Sequence, residues 1–367
     1  MKPIKIFGEN LDAGTLEQFY SAINQPFAVK GVLLPDAHVG YSLPIGAVVA
    51  TDGVILPAWV GYDIGCGMCA VKTPLMMDEV EPHRVDIFKS IYRAVPTGFD
   101  HNKRPEPWDY EKIPMTPTLK KIFERENGLT QLASLGGGNH FIEISHDEEG
   151  RVWVVVHSGS RHVGHSVATL YMKQASGSEK AKEGHYGFQV KSNAGQDYIT
   201  DMNFCLKFAL ENRKRIIERV LREVYYYTRR GEQPETLEFI NRHHNHAEEK
   251  EGLWIHRKGA THAEAGMEGV IPGNMRDGSF ITVGKGNKES LCSSSHGAGR
   301  AMSRNKAKEN ISMDSFKNQL SGVTARVERA TLDEAPGAYK DIFEIMRLQK
   351  DLVDVKHHLK PVINIKG

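Results

Sequence analysis

Gly61-Tyr62-Asp63-Ile64-Gly65-Cys66-Gly67-Met68-Cys69 packs a carboxylate, a thiol and three glycines into nine residues, directly after the apolar run that ends at Val60. Asp63 and Cys66 are three apart, so a tight, glycine-supported turn can aim both side chains at one point. A thiolate suits softer divalent metals, and an Asp beside it adds a hard oxygen to the same or a neighbouring ion. The glycines let backbone approach closely and take conformations a side chain blocks. Cys66-x-x-Cys69 also reads as a redox or zinc-knuckle pair, but that needs a second pair close by. The next cysteines are Cys205 and Cys292. On this stretch alone, metal ligation and an ordinary turn both stay open.

The surrounding chain is that of an ordinary globular enzyme: 367 residues, 40% hydrophobic, 25% charged. That length buries a sizeable core. A net charge of +1 carries no global field for nucleic acid and leaves only a local basic groove. Four cysteines without paired spacing point to a reducing compartment. Met1-Lys2-Pro3-Ile4 opens no apolar signal stretch and no run is long enough to span a membrane, so the expected location is cytoplasmic. Seventeen histidines, many beside glycine or asparagine, are the unusual figure.

Helical spacing predicts a helix over Leu11–Phe27 and one long helix over Ile199–Arg229, whose apolar stripe reads as core and takes in Cys205. Val29–Leu34 reads as a buried strand closed by Pro35. Ile45–Ala50, Ala70–Lys72, Val152–Val156, Trp254–His256 and Phe280–Val283 read as further strands. Residues 100–118, rich in proline and charge, read as a surface excursion. A polar helix begins at Ser303. No repeat or compositional break divides the chain, and the candidate ligands run from residue 63 to the C-terminus. The expectation is one interlocked α+β domain over residues 1–367, with β-sheets flanked by helices around a cleft.

Several strands end in a histidine or serine beside glycines. Gly136-Gly137-Gly138-Asn139-His140 places three glycines before Asn-His, and such runs form backbone nests for phosphate. His140 reads as a ligand or as a satisfied turn residue. His157 follows a wholly apolar strand, where a sheet edge holds a functional group easily. His243-His244-Asn245-His246 is the densest imidazole run, with a solvated polar loop as the competing reading. In Ser293-Ser294-Ser295-His296-Gly297-Ala298-Gly299-Arg300 the histidine is sterically open, and Arg300 offers a guanidinium fork for a substrate phosphate. A neutral imidazole there can attack phosphorus and carry the group, or act as general acid in a phosphate loop.

Taken together, Pro35-Asp36-x-His38-x-Gly40, Val60 to Met68, Leu135 to Glu143, His157 to Arg161, His256 to Thr261, His296 to Arg300, Met302-Ser303-Arg304, Tyr339-Lys340-Asp341 and Lys366-Gly367 resemble the RtcB RNA-splicing ligases. The resemblance runs in order from about residue 31 to the last residue. It implies that family's own α+β fold and a GTP- and manganese-dependent RNA ligase. Such an enzyme joins RNA 3′-phosphate or 2′,3′-cyclic phosphate ends to 5′-hydroxyl ends. It further implies Asp63, Cys66, His140, His157 and His244 as ligands of two Mn²⁺ ions, with Cys66 bridging. His296 corresponds to the guanylylated histidine. Asn139, Glu143, Asn245, Pro272, Gly273, Asn274, Met275, Ser279, His296, Gly297, Ala298, Gly299, Tyr339 and Lys366 correspond to guanylate-binding positions.

The chain departs from the family's usual residues at Ser42, His162, His262, Asn274 and Arg276, none of them an implied ligand. Arg276 is expected to add bulk and charge near the nucleotide. These departures fit a branch that repairs broken RNA rather than joining tRNA exons. A metal-dependent cyclic phosphodiesterase that does not ligate is the alternative; it needs the metals but neither His296 nor GTP. A non-catalytic RNA-binding or sensing protein is a third reading, and it should have lost ligands that are all present.

Overall fold

Two large, mainly antiparallel sheets and two short two-stranded ones build the fold, and the site lies where the chain passes between the large pair. The computed structural model describes residues 2–367; Met1, where the reading of the N-terminus began, lies outside them. The smaller sheet has five strands in the order Ile4–Ile6, Ala28–His38, Ile45–Thr51, Leu253–Lys258, Asn245–Lys250. The larger runs Glu268–Pro272, Ser279–Gly284, Val353–Lys366, Phe141–His146, Arg151–Ser158, Gly67–Met76, Glu238–His243, with Thr324–Ala325 paired to Val353–Lys366. Pairing is parallel only for Ile4–Ile6 and Thr324–Ala325. With 36% helix and 28% strand, and antiparallel sheets rather than βαβ crossovers, the class is α+β, as expected.

The larger sheet is buried on both faces, so its strands read as near-continuous apolar runs. Along Gly67–Met76, Cys69 and Val71 point into a core shared with the helices Arg84–Ala94 and Asn193–Thr228. Met68 and Ala70 point the other way, onto Val270, Ile281 and Leu359 from the far end of the same sheet. The sheet therefore curls on itself, and Arg242 Nε donates to Glu268 O across the closure at 3.2 Å. Cys69 thus faces away from Cys66, which removes the knuckle reading; burial pushes its thiol up to about 12. Cys205 is fully buried, as expected of core.

Local signals place the elements with shifted ends. The first helix is Ala13–Ile23, shorter than expected, because Asp12 caps it by accepting from Thr15 N at 2.9 Å. The long helix spans Asn193–Thr228 behind the Ser192 cap. The polar helix after Ser303 is Arg304–Asn310, with Ser303 as its cap. Residues 100–118 are not a free excursion: Trp108, Tyr110, Ile113 and Met115 pack on a core cluster with Phe123, Phe204 and Phe208.

Two corrections bear on function. The strand beginning at Ala28 does not stop at Pro35 but continues to His38, with a register shift after Leu33 that accommodates the missing proline donor. That extension carries Asp36, fully buried, beneath His296. Likewise, residues 243–246 are no solvated loop. His243 ends one strand, Asn245 begins the next, and His244 alone makes the passage between sheets. Its N–H donates to Cys66 O at 2.8 Å, which ties the passage to the opening turn.

Candidate active site

Four ligand-bearing segments converge because one helix pins them. Arg213, fully buried on the stripe of Asn193–Thr228, donates to Gly65 O at 2.8 Å, Ser158 O at 2.9 Å and Asn241 Oδ1 at 2.7 Å. Asn212 donates to Ser134 O, Ser158 Oγ and Gly159 O at 3.0–3.2 Å. Gly65 turns with φ +76°, and a Cβ on Gly159 would run into the Asp63 carboxylate. Arg213 and Asn212 were missed in the sequence. Their signal was a polar pair interrupting the apolar stripe between Ala209 and Ile216.

All five expected ligands meet. Cys66 Sγ lies 3.4 Å from His140 Nε2 and 3.2 Å from His157 Nε2. His157 Nε2 lies 3.3 Å from His244 Nε2, and His140 Nε2 lies 3.0 Å from Asp63 Oδ2. The donors fall into two overlapping groups, Asp63–Cys66–His140 and Cys66–His157–His244, that share the thiol. His140 Nδ1 donates to Leu135 O at 3.0 Å and His157 Nδ1 to Asn139 O at 3.1 Å. Both rings therefore turn Nε2 inward, the arrangement in which backbone orients metal-binding imidazole.

The residues fit divalent cations on their own chemistry. Asp63 Oδ1 is buried with no hydrogen-bond partner among the described residues. Burial, with neighbouring imidazoles, pushes His157 and His244 well below the ordinary histidine value, so both are neutral donors. Burial and Asp63 push the Cys66 thiol up, so its ionisation calls for a cation beside it.

Next to this cradle, the His244 and His296 rings lie 4.8 Å apart. His296 Nδ1 donates to Asp36 Oδ2 at 2.7 Å, and the His296 N–H donates to the same oxygen at 3.1 Å. Burial alone would raise Asp36, but the His296 hydrogen bond and the His296 and His38 imidazoles hold it below the usual carboxylate range. An ionised Asp36 holds the ring proton at Nδ1 and turns Nε2 toward the cleft. Asp36 was quoted in the sequence without a role.

Asp63, Cys66, His157, His244 and His296 line one cleft of about 610 Å³, within the range of small-molecule sites. Every residue implied for guanylate lines it: Asn139, Glu143, Asn245, Pro272–Met275, Ser279, His296–Gly299, Tyr339 and Lys366. Asn245 Oδ1 accepts from Gly259 N at 2.8 Å. Burial pushes Glu143 up to about 8 despite hydrogen bonds from Ser279 at 3.2 Å and Asn364 at 3.3 Å. Lys366 Nζ donates to Glu334 at 2.8 Å and Tyr339 Oη to Glu334 at 2.5 Å. Although burial opposes it, Lys366 and Arg304 hold Glu334 down at about 2. Arg300 lines the cleft, but its guanidinium already donates to Asp333 O at 2.7 Å, Met302 O at 3.1 Å and Glu334 at 3.3 Å.

Arg276 does not add its charge to the cleft as expected. It is absent from the lining, and its guanidinium turns onto Asp277 at 2.7 and 3.0 Å. Lys258, quoted in the sequence without a role, is buried in the lining with Ala58 O as its acceptor at 2.9 Å. Burial lowers it to about 8.

A family model described as "tRNA-splicing ligase RtcB" matches residues 18–116 and 115–367. The chain belongs to the RtcB family. It is 35% identical over 398 residues to the RNA-splicing ligase RtcB of Escherichia coli strain K12, covering 100% of this chain and 97% of that one. It is 30% identical over 443 residues to the tRNA-splicing ligase RtcB of Thermococcus kodakarensis, covering 96% and 91%. With RNA-splicing ligase RtcB homolog 1 of Entamoeba dispar the figure is 28% over 438 residues, covering 96% and 82%. The two matched segments of this RtcB chain meet at residues 115 and 116, within its proline-rich stretch. Among the described residues no helix is long and apolar enough to cross a membrane.

Proposed function

We infer that this RtcB protein is an RNA ligase that uses GTP and manganese to join a 3′-phosphate or 2′,3′-cyclic phosphate end to a 5′-hydroxyl end. The observation that carries this reading is His296. Its Nδ1 is locked on buried Asp36 and its ring packs beside His244 of the cradle centred on Cys66. The printed names of the relatives, RNA- and tRNA-splicing ligases, supply RNA as the substrate class.

The chain's own groups account for the steps. His296 Nε2 attacks the α-phosphorus of GTP; a P–N bond forms, the bond to the β-phosphate oxygen breaks, and pyrophosphate leaves. Asp36 keeps the proton at Nδ1 throughout, so the ring stays oriented and its developing positive charge is met. An oxygen of the RNA 3′-phosphate, freed by water where the end is cyclic, then attacks the same phosphorus and restores His296. The 5′-hydroxyl oxygen finally attacks the RNA phosphorus and GMP leaves. Asp63, Cys66, His140, His157 and His244 would hold divalent cations, which would supply charge neutralisation at the phosphates. Glu143, Asn245, Ser279, Lys366 and the Pro272–Met275 loop surround the nucleotide, and Arg300 and Lys258 offer cations to phosphate.

A phosphodiesterase would use the cradle and leave Asp36–His296 without purpose. Incubating both RNA ends with GTP and Mn²⁺ separates the two: GTP-dependent joined RNA is expected. Opening of the cyclic phosphate without joining, at any GTP concentration, would establish the phosphodiesterase instead. We take the substrate to be broken RNA; preference for tRNA halves over cleaved RNA would refute that part alone.

A further inference from the structure

Tyr62 and His165 line the mouth of the cleft that holds Asp63, Cys66 and His296. His165 stands on the helix Arg161–Ser176, three residues after His162, so the two imidazoles share a helix face. The rings are layered. Tyr62 and His165 are stacked at 4.9 Å and 19°, and His165 and His162 at 5.6 Å and 11°. Tyr41 meets Tyr62 edge-on at 6.1 Å. The ends of this series are open: Tyr41 is 66% exposed, and the His162 side chain 58%.

Core packing does not account for such a series, because its two ends face water. The contact of His162 Nε2 with Glu126 at 3.3 Å fixes that ring but explains neither Tyr41 nor the layering. One cation accompanies the rings: Lys258 Nζ lies 5.8 Å from the centre of the Tyr41 ring, with the Glu183 carboxylate beside Tyr62. The outer faces of Tyr41 and His162 are open, while Tyr62 and His165 are covered by their neighbours in the series; open faces leading out of the cleft match the chemistry of a single strand whose bases stack.

We propose that this ring series, open at Tyr41 and His162 and backed by Tyr62 and His165, forms a stacking track for the bases of the RNA strand whose end is held in the cleft. The proposal rests on the RNA-joining reading above. Within it, His162 stands at a position where the resemblance leads one to expect glycine.

The test is a double cycle of protein and substrate. A short 3′-phosphorylated RNA, intact or abasic over its last nucleotides, is titrated by fluorescence anisotropy against wild type, His162→Ala and His162→Ala/His165→Ala. Each lost stack is expected to weaken wild-type binding about tenfold. The double variant should bind intact RNA well below wild type and should lose less than wild type does when the bases are removed. His165→Phe, which keeps a flat ring, should restore most of the base sensitivity and shows that the helix still folds. A double variant that binds intact RNA with wild-type affinity, or that keeps the full abasic penalty, overturns the track. Labelling of the wild-type protein by GTP in the same samples separates the two failures. Without label the underlying reading fails; with label and unchanged base sensitivity, only the track does.

Discussion

His244 and His246 are two residues apart, yet they belong to clusters with opposite electrostatics. His244 joins His157 and Cys66 in the cradle, where imidazole nitrogens converge and Asp63 keeps an oxygen without a partner. His246 joins Glu248 and His262, equally close in space and equally rich in donors. There, however, the carboxylates are already met. Buried Arg257 donates to Glu248 at 2.6 Å and to His246 Nε2 at 3.3 Å, Lys250 pairs with Glu264, and His262 Nδ1 lies 3.1 Å from Glu264. The lesson is that proximity of ligand types does not make a metal site. A cation is wanted where negative and lone-pair groups converge without one, and the second cluster carries two cations of its own.

The contrast breaks most completely at the thiol. Cys66→Ala should strip the protein of retained metal, read by mass spectrometry after gel filtration in Mn²⁺. Loss of an orienting partner alone typically costs ~10–100-fold in affinity, so loss of a shared ligand should exceed that. His262→Ala should retain wild-type metal content, and metal loss there would erase the distinction between the clusters. Next in size is Glu248→Ala, which leaves the fully buried Arg257 short of its nearest carboxylate. It should cost about 3–5 kcal/mol in urea unfolding, with metal content unchanged.

Acidity sharpens the same contrast in opposite directions. Glu143, pushed by burial from 4.5 to about 8, holds a proton in the folded state that the unfolded chain has released. Its contribution to stability therefore declines as pH rises through that window, and Glu143→Gln should flatten the decline in thermal melts. Glu264 is the reverse. Burial works against it, but His262 and Lys250 hold its carboxyl far below the usual range, so its contribution is full above 4.5 and lost only as pH falls below it. The smallest expected effect is Arg276→Gly. That arginine is half exposed and tied to Asp277, so stability should move by less than about 0.5 kcal/mol and the GTP concentration dependence by less than twofold.

How much of this was legible in the sequence differs from residue to residue. Asp63 and Cys66 stand close enough for spacing to suggest a shared target. Their partners are 74 and 91 residues further on, and no local pattern predicts such a meeting. Only the resemblance, carried by many motifs in order, brought His140, His157 and His244 to them. Asp36 escaped because Pro35 looked like the end of a strand, whereas a register shift let the strand run on beneath His296. Arg213 and Asn212 escaped because one polar pair inside a long apolar stripe says nothing about what it pins. The strands themselves were easy to read, since burial on both faces writes itself as valine and isoleucine. Their ends were not, because caps and bulges decide those.

The most direct test of the account is transfer of GMP from GTP radiolabelled on its α-phosphate, with Mn²⁺, to wild type, His296→Ala and Asp36→Asn, each resolved on a denaturing gel. The account predicts a covalent, acid-labile label on wild type, none on His296→Ala, and a strongly slowed label on Asp36→Asn, whose tautomer and charge are wrong. A label that survives His296→Ala, or a folded wild type that takes none with any divalent metal, would contradict it.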